Sequence, residues 1–136
     1  MANPVHFASQ AWVVAATEVL EELVAEHGSS GQAFSVCEIF SDAPKSVSAS
    51  GEAAWHFFID GQSVNVGLGE AEGTDVTIRV DYQTALPGAR LVYTRETLAE
   101  LAKQPPPERP AQVIGDMSKA PQYLILLHNR MAEMTA

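Results

Sequence analysis

Hydrophobic and polar residues alternate along three neighbouring stretches in the middle of the chain, residues 55–59, 62–68 and 74–82. Successive side chains of a β-strand point to opposite faces of a sheet, so this alternation predicts strands with one apolar face. Asp60-Gly61 joins the first two stretches and suits a two-residue type I′ turn. The pattern predicts a three-stranded meander whose apolar face must be covered by another layer.

The Asp60-Gly61 turn also predicts the pairing of the first two strands: Ile59 with Gln62, Phe57 with Val64, and Trp55 with Val66. The third strand continues the same apolar face with Val76, Ile78, Val80 and Tyr82. The opposite face carries His56, Phe58, Asn65, Thr77, Arg79 and Asp81, which suits water or a second layer.

An amphipathic helix is predicted at about residues 9–27, because apolar residues recur there at helical spacing opposite a row of glutamates. Ser9 is the predicted N-cap, and Gly28 stands where a left-handed residue would end the helix. Residues 34–40 predict a further strand with both faces partly buried, so that the sheet spans about residues 34–82.

Glu38 shares its side of the predicted strand with aromatic residues. It therefore lies at a sheet edge, has a partner, or points into a pocket. The edge is the favoured interpretation, because an unpaired buried carboxylate is costly.

The segment 83–112 gives a less regular pattern. Leu86-Pro87-Gly88 predicts a turn, residues 90–93 a short strand, and Thr94 the cap of a helix through Lys103. Leu98, Leu101 and Ala102 are the side chains that this helix would turn inward. The proline cluster at 105–110 predicts an exposed, stiff spacer.

A C-terminal helix is predicted at about residues 118–134, with apolar residues from Tyr123 to Leu127 in succession. This apolar surface is wider than one core-facing stripe. The helix therefore packs in the core, covers a ligand, or contacts a second subunit, and Met131 and Met134 suit adaptable packing in any of these roles.

Composition narrows the possible functions. A chain of 136 residues fits a single domain over 1–136, and none of its apolar runs approaches the ~20 residues of a membrane span. The net charge of −9 disfavours nucleic acid and anionic membranes, which bind through clustered Lys and Arg. The single cysteine, Cys37, fits a reducing compartment, and we expect a cytoplasmic protein with no stable membrane insertion.

The sequence contains no strong catalytic or metal-binding motif. Histidine and cysteine spacings of a zinc site are missing, and so is Gly-x-Ser-x-Gly. His56 is predicted on the sheet face away from the apolar side, and His27 and His128 as solvated helix residues. We therefore expect no catalytic residue, no metal and no cofactor.

Several of these stretches together resemble the sterol carrier protein 2 family. The residues that carry the resemblance are the Trp55–Gly61 strand and turn, the Asp75–Val80 strand, and Val113-Ile-Gly-Asp-Met117 before the last helix. The segment 83–112 departs from the family pattern, which usually has a compact helix and a glycine-centred turn there. The resemblance implies an α/β fold of the α+β type, with about five mainly antiparallel strands covered on one face by helices.

The resemblance also implies an apolar cavity for sterols, fatty acyl chains or related lipids, and hence non-catalytic binding or transfer of a hydrophobic small molecule. Face parity and helical spacing give the predicted lining: Trp55, Phe57, Val64, Val66, Val76, Ile78, Leu98, Leu101, Tyr123, Leu124 and Leu127. Two alternatives stay open. One is a small cone-shaped isomerase or dehydratase with an acid–base pair drawn from Glu38, Asp81 and Tyr82, and the other is a ligand-free homodimerising domain.

Overall fold

The structure is a computed structural model that describes residues 4–136. Within these residues the helices are α1 (Gln10–His27), α2 (Tyr82–Ala89), α3 (Arg95–Lys103) and α4 (Leu124–Met134), with a short 3₁₀ helix at Met117–Lys119. The strands are β1 (Ala33–Ser41), β2 (Ala53–Asp60), β3 (Ser63–Leu68), β4 (Val76–Asp81) and β5 (Gln112–Ile114).

The strands form one sheet in the order β3-β2-β1-β4-β5. β1 and β4 are parallel, whereas the other neighbours are antiparallel. The predicted fold class, an α/β domain with a five-stranded and mainly antiparallel sheet, is confirmed. β1 lies at the centre of the sheet, and all its residues from 34 to 40 except Glu38 are buried.

The β2–β3 hairpin keeps the predicted faces but not the predicted turn. Asp60 pairs with Ser63, so Gly61 and Gln62 are the turn residues. Gly61 has φ +61°, whereas Gln62 has no positive φ, which fits a type II′ rather than a type I′ turn. Gly61 N also donates to Gln32 O at 2.7 Å and thereby holds the turn near the end of α1.

The correct pairs are therefore Ile59 with Val64, Phe57 with Val66, and Trp55 with Leu68. The predicted register was wrong by two residues of β3. A shift of two residues leaves every side chain on its original face, because the side-chain period of a strand is two.

Helix α1 begins as predicted, with the Ser9 side chain accepting a hydrogen bond from Trp12 N at 3.2 Å. It also ends at His27 as predicted, but Gly28 is extended, with φ −65° and ψ 144°, so the expected left-handed conformation was wrong. A Cβ at Gly28 would lie 2.2 Å from Gly61 O. Glycine is needed there because the hairpin turn approaches the backbone, and not because of a left-handed conformation.

The segment 83–112 differs most from the prediction. Leu86-Pro87-Gly88 lies in α2 rather than in a turn, because Asp81 caps this helix by accepting from Thr84 N at 3.2 Å. Residues 90–93 form no strand. Thr94 caps α3 as predicted, and the segment 105–110 is exposed.

Helix α3 does not turn its leucines inward. Leu98 is 46% and Leu101 38% exposed, Ala102 is exposed, and no residue of α3 is buried. The prediction was wrong because helical spacing identifies an apolar side of a helix but does not supply the surface that covers it. β5 begins at the last residue of the segment, Gln112, and at three residues it is too short for an alternation pattern.

Helix α4 begins at Leu124, later than the predicted 118. Asp116 instead caps the separate 3₁₀ helix, accepting from Ser118 N at 3.0 Å. The end of α4 is held by the N-terminal segment, since Val5 N donates to Met134 O and Ala136 N to Val5 O, both at 2.8 Å. Trp12 Nε1 adds a hydrogen bond of 3.1 Å to Thr135 Oγ1.

Ser35 and Asp75 fasten β1 to β4 at the start of their parallel pairing. One carboxylate oxygen of Asp75 accepts from Ser35 N at 2.9 Å and from Ser35 Oγ at 3.1 Å, while Asp75 N donates to Ser35 Oγ at 2.8 Å. Ser35 is buried, so its polar atoms depend on these bonds.

Substitution Asp75→Ala should lower the free energy of unfolding by ~2 kcal/mol, because it leaves a buried N–H and hydroxyl without their acceptor. Denaturant unfolding of the variant and of Glu72→Ala, a change at an exposed acidic residue of the same turn, measures the difference. Equal stability of the two variants would contradict the role given to Asp75.

Candidate functional site

An apolar pocket of about 450 Å³ lies between the sheet and helices α2 and α4. β1, β2 and β4 contribute side chains from the same face of the sheet, while α2 and α4 face them from the other side. Pro107, Ala111 and Met117 also line the pocket and are exposed, so it opens to solvent along this segment. The volume is within the range of small-molecule sites in proteins.

Strand alternation explains the floor of this pocket. Val36, Glu38 and Phe40 are spaced by two on β1, and Trp55 and Phe57 occupy the same face of β2. Small residues form the part contributed by α2, namely Thr84, Ala85, Gly88 and Ala89. These small side chains leave space between α2 and the sheet.

The structure brings together some of the predicted lining residues and separates others. Those that line the pocket are Trp55, Phe57, Ile78, Leu124 and Leu127. Val76 is fully buried in the core, and Val64 and Val66 pack against the core from β3. Tyr123 is buried beside His27, with ring centroids 5.9 Å apart, and Leu98 and Leu101 lie on the exposed side of α3. These last six residues are not part of the pocket surface.

Helix α4 presents to the pocket the face formed by Leu124, Leu127, His128 and Met131. Its other side exposes Ile125 at 47% and Leu126 at 41%. The spacing i, i+3, i+4, i+7 of the pocket-facing residues was visible in the sequence and placed His128 on the apolar side. His128 was predicted to be solvated, and that prediction was wrong.

Glu38 is the acidic residue for which the sequence allowed three positions, with a sheet edge favoured. The edge interpretation was wrong, because β1 is the central strand and Glu38 lies directly opposite Trp55. Trp55 Nε1 donates to Glu38 Oε1 at 3.0 Å. The side chain is half-buried and lines the pocket.

Burial raises the pKa of Glu38 from 4.5 to about 7, although the hydrogen bond from Trp55 acts in the opposite direction. The apolar surroundings disfavour the charged form, and one N–H donor offsets only part of that cost. Near neutral pH the carboxyl is therefore divided between its neutral and ionised forms.

Tyr93 and His128 stand at the same pocket and stack on each other, with ring centroids 3.8 Å apart and planes 9° from parallel. Asn129 holds the tyrosine backbone at both ends, accepting from Tyr93 N at 2.7 Å and donating to Tyr93 O at 3.2 Å. Burial first, and then the negative charge of Glu38, raise the pKa of the Tyr93 hydroxyl. Tyr93 and Glu38 line the same pocket.

The tautomer of His128 follows from its hydrogen bond. Nε2 lies 2.8 Å from Leu91 O, and a carbonyl oxygen only accepts, so Nε2 carries a proton. Helix α4 consequently fixes residues 91–93 through both His128 and Asn129. Nothing local in the sequence indicates this contact, because the partners are separated by more than thirty residues.

The acid–base pair required by the enzyme alternative is not assembled. The Tyr82 hydroxyl donates to Phe7 O at 2.8 Å, and Asp81 caps α2 and lies 3.4 Å from Arg109. Neither lines the pocket that contains Glu38. His56 lies on the opposite sheet face, with Nδ1 donating to Gly69 O at 2.8 Å.

Across residues 4–136, no group of three or more His, Cys, Asp or Glu side chains is arranged to hold a metal ion. The helices of this part of the chain are all too short or too polar to cross a membrane.

Comparison with solved structures relates this fold to sterol carrier protein 2. A crystal structure of sterol carrier protein 2 matches with a TM-score of 0.51 and 15% sequence identity, over 96% of this chain and 100% of that one. Palmitated SCP2L2 from Aedes aegypti matches with a TM-score of 0.48 and 18% identity, over 88% and 95% of the two chains. The UbiJ-SCP2 ubiquinone synthesis protein matches with a TM-score of 0.44 and 15% identity, over 88% and 94%.

No protein-family model and no curated protein sequence matches the chain. The structural match alone confirms the predicted resemblance, and it does so for the fold, which this chain shares with sterol carrier protein 2 over nearly its whole length.

The raised pKa of Glu38 predicts a pH-dependent stability. Between pH 4.5 and about 7 the unfolded chain loses the Glu38 proton while the folded protein keeps it, so folding becomes less favourable as pH rises. Above that range the ionised carboxylate costs on the order of 3 kcal/mol, and Glu38→Gln should recover much of it. The variant should gain little at pH ~4.

Denaturant unfolding of wild type and Glu38→Gln at pH ~4 and ~8 measures this difference, with Glu72→Gln as the exposed control. A stability difference between Glu38→Gln and wild type that is the same at both pH values would contradict the raised pKa.

Proposed function

We propose that this protein binds a hydrophobic small molecule without covalent chemistry, in the pocket between the sheet and helices α2 and α4. The observation that carries the proposal is the pocket itself, which has about 450 Å³ of space and a mostly apolar surface, with few polar groups. A sterol, a fatty acyl chain or a related lipid has the chemical character that suits such a surface.

The driving force is the removal of apolar ligand surface from water. Burial of ~300 Å² at ~25 cal/mol per Å² contributes ~7 kcal/mol before the costs of ordering the ligand. Apolar side chains from three strands and α4 supply the contacts, and α2 leaves room for the ligand. A moderate net affinity, with the gain from apolar burial partly offset by the cost of ordering the ligand, suits a carrier that must also release its ligand.

Native mass spectrometry of gently purified protein, followed by extraction of bound molecules, tests the proposal. A stoichiometric sterol or acyl adduct would support it and name the ligand class. Protein that stays free of ligand after challenge with sterols and with long-chain alcohols and acids would contradict it.

Both tryptophans of the chain, Trp12 and Trp55, line the pocket. Ligand entry should therefore change the intrinsic fluorescence, and titration gives the affinity without a label. Saturable quenching or a spectral shift at one ligand per chain is the expected result.

Substitution Leu124→Asp should reduce ligand affinity at least ~10-fold, because it places a carboxylate against an apolar ligand surface. Ile125→Asp is the matched control, since Ile125 is the next residue of α4 and is 47% exposed. Fluorescence titration compares the two, and circular dichroism verifies that both are folded. Equal affinity of the two folded variants would remove Leu124 from the ligand-binding surface.

Proton-transfer catalysis is the second candidate, and the raised pKa of the pocket-facing Glu38 is the observation that favours it. Such an enzyme would use Glu38 as the base beside Tyr93, since Asp81 and Tyr82 are engaged elsewhere. Incubation with an apolar β,γ-unsaturated ketone in D₂O tests this function. Deuterium uptake or isomerisation that Glu38→Gln abolishes would support catalysis. A substrate recovered unchanged would contradict it, and non-catalytic binding would then be the remaining proposal.

A further inference from the structure

Two polar atoms at the apolar pocket have no hydrogen-bond partner within residues 4–136. Glu38 uses Oε1 to accept from Trp55, and its Oε2 has no partner. The Tyr93 hydroxyl makes no hydrogen bond either, while the backbone of Tyr93 is held by Asn129. Neither atom is sealed from solvent, so a ligand that displaces water from the pocket must satisfy both, because burying an unpartnered polar atom is costly.

The hydrogen bond from Trp55 also defines what Oε2 can offer. Oε1 is the accepting oxygen, so in the neutral carboxyl the proton resides on Oε2, which then donates. In the ionised carboxyl Oε2 accepts. A ligand group that serves both states must be able to accept as well as donate.

We propose that Glu38 and Tyr93 bind the polar end of the ligand and select an uncharged hydroxyl over a carboxylate. A hydroxyl donates to ionised Glu38 and accepts from neutral Glu38. A carboxylate accepts only, and it meets like-charge repulsion whenever Glu38 is ionised. This inference rests on the proposed binding function and adds the chemical class of the ligand's polar end.

Glu38 is the one Asp, Glu, Lys or Arg side chain among the described residues that line the pocket. β2, β4, α2 and the N-terminal part of the chain contribute no charged side chain to the lining, and the exposed segment at Pro107, Ala111 and Met117 contributes none. The remaining titratable groups there are Tyr93 and, from α4, His128. His128 is anchored through Nε2 to Leu91 O, so that nitrogen is not free to bind a ligand.

The test compares tetradecan-1-ol with tetradecanoate, which have equal chain length and differ at the polar end. Fluorescence titrations at pH ~5.5 and ~8.5 measure the affinity of each ligand. The affinity for tetradecanoate should fall ~10-fold or more at the higher pH, while the affinity for tetradecan-1-ol should change less than ~3-fold. At pH ~8.5 the alcohol should bind ~10-fold more tightly than the acid.

Two variants assign this selectivity to residues. Glu38→Gln should reduce the pH effect on tetradecanoate below ~3-fold, because the amide carries no charge. Tyr93→Phe retains the ring that stacks on His128. It should lower the affinity for tetradecan-1-ol ~3- to 10-fold, which is the typical effect of one lost hydrogen bond. Glu72→Gln, at an exposed acidic residue, should leave both ligands unaffected.

Three outcomes would overturn the inference while the binding function stands. These are equal affinities of wild type for both ligands at both pH values, a pH effect that persists in folded Glu38→Gln, and unchanged alcohol binding by Tyr93→Phe. If Glu38→Gln does not fold, the wild-type comparison and Tyr93→Phe decide. Failure of wild type to bind either ligand or a sterol would instead contradict the proposed function itself.

Discussion

The arrangement of this protein depends on the central position of β1, which is parallel to β4 and antiparallel to β2. The parallel pair begins at the Ser35–Asp75 hydrogen bonds, and these define the register of the two strands. That register places Glu38 opposite Ile78, and the antiparallel pairing of β1 with β2 places it opposite Trp55. The position of the carboxyl therefore follows from strand pairing across the whole sheet.

An ionised carboxyl is disfavoured at this position. Its burial disfavours ionisation, and the single N–H of Trp55 does not compensate. An apolar side chain of similar size would avoid this cost. Stability alone therefore gives no reason for Glu38, whereas the proposed contact with a ligand's polar end would give one.

The sequence predicted the parts of the fold that depend on local patterns. Alternation identified the faces of β2 and β3, and the Ser9 and Thr94 caps located the starts of α1 and α3. The hairpin turn was missed because Gly61 suits both turn types, and its hydrogen bond to Gln32 O is a contact between distant residues that the local pattern does not show. Helix α2 was missed because Pro87 suggests a turn, although the Asp81 cap acts at the other end.

The candidate site was less predictable, because its polar groups come together through long-range contacts. Strand order is not encoded in the alternation of one strand, so the central place of Glu38 was not apparent. The Tyr93–His128 stack joins a loop to α4, and no local spacing indicates it. Leu98 and Leu101 illustrate the converse, since an apolar helix side says nothing about which element covers it.

Different residues determine the size of the pocket and its polarity. Ala85, Gly88 and Ala89 leave the space because α2 presents small side chains to the sheet, whereas Glu38 and Tyr93 supply polar atoms from β1 and from the loop after α2. Changes in one group need not disturb the other, because they belong to separate elements. Under the proposed function, the elements around the pocket set where a ligand lies, while the polar atoms of a few side chains set the chemistry that the ligand must match.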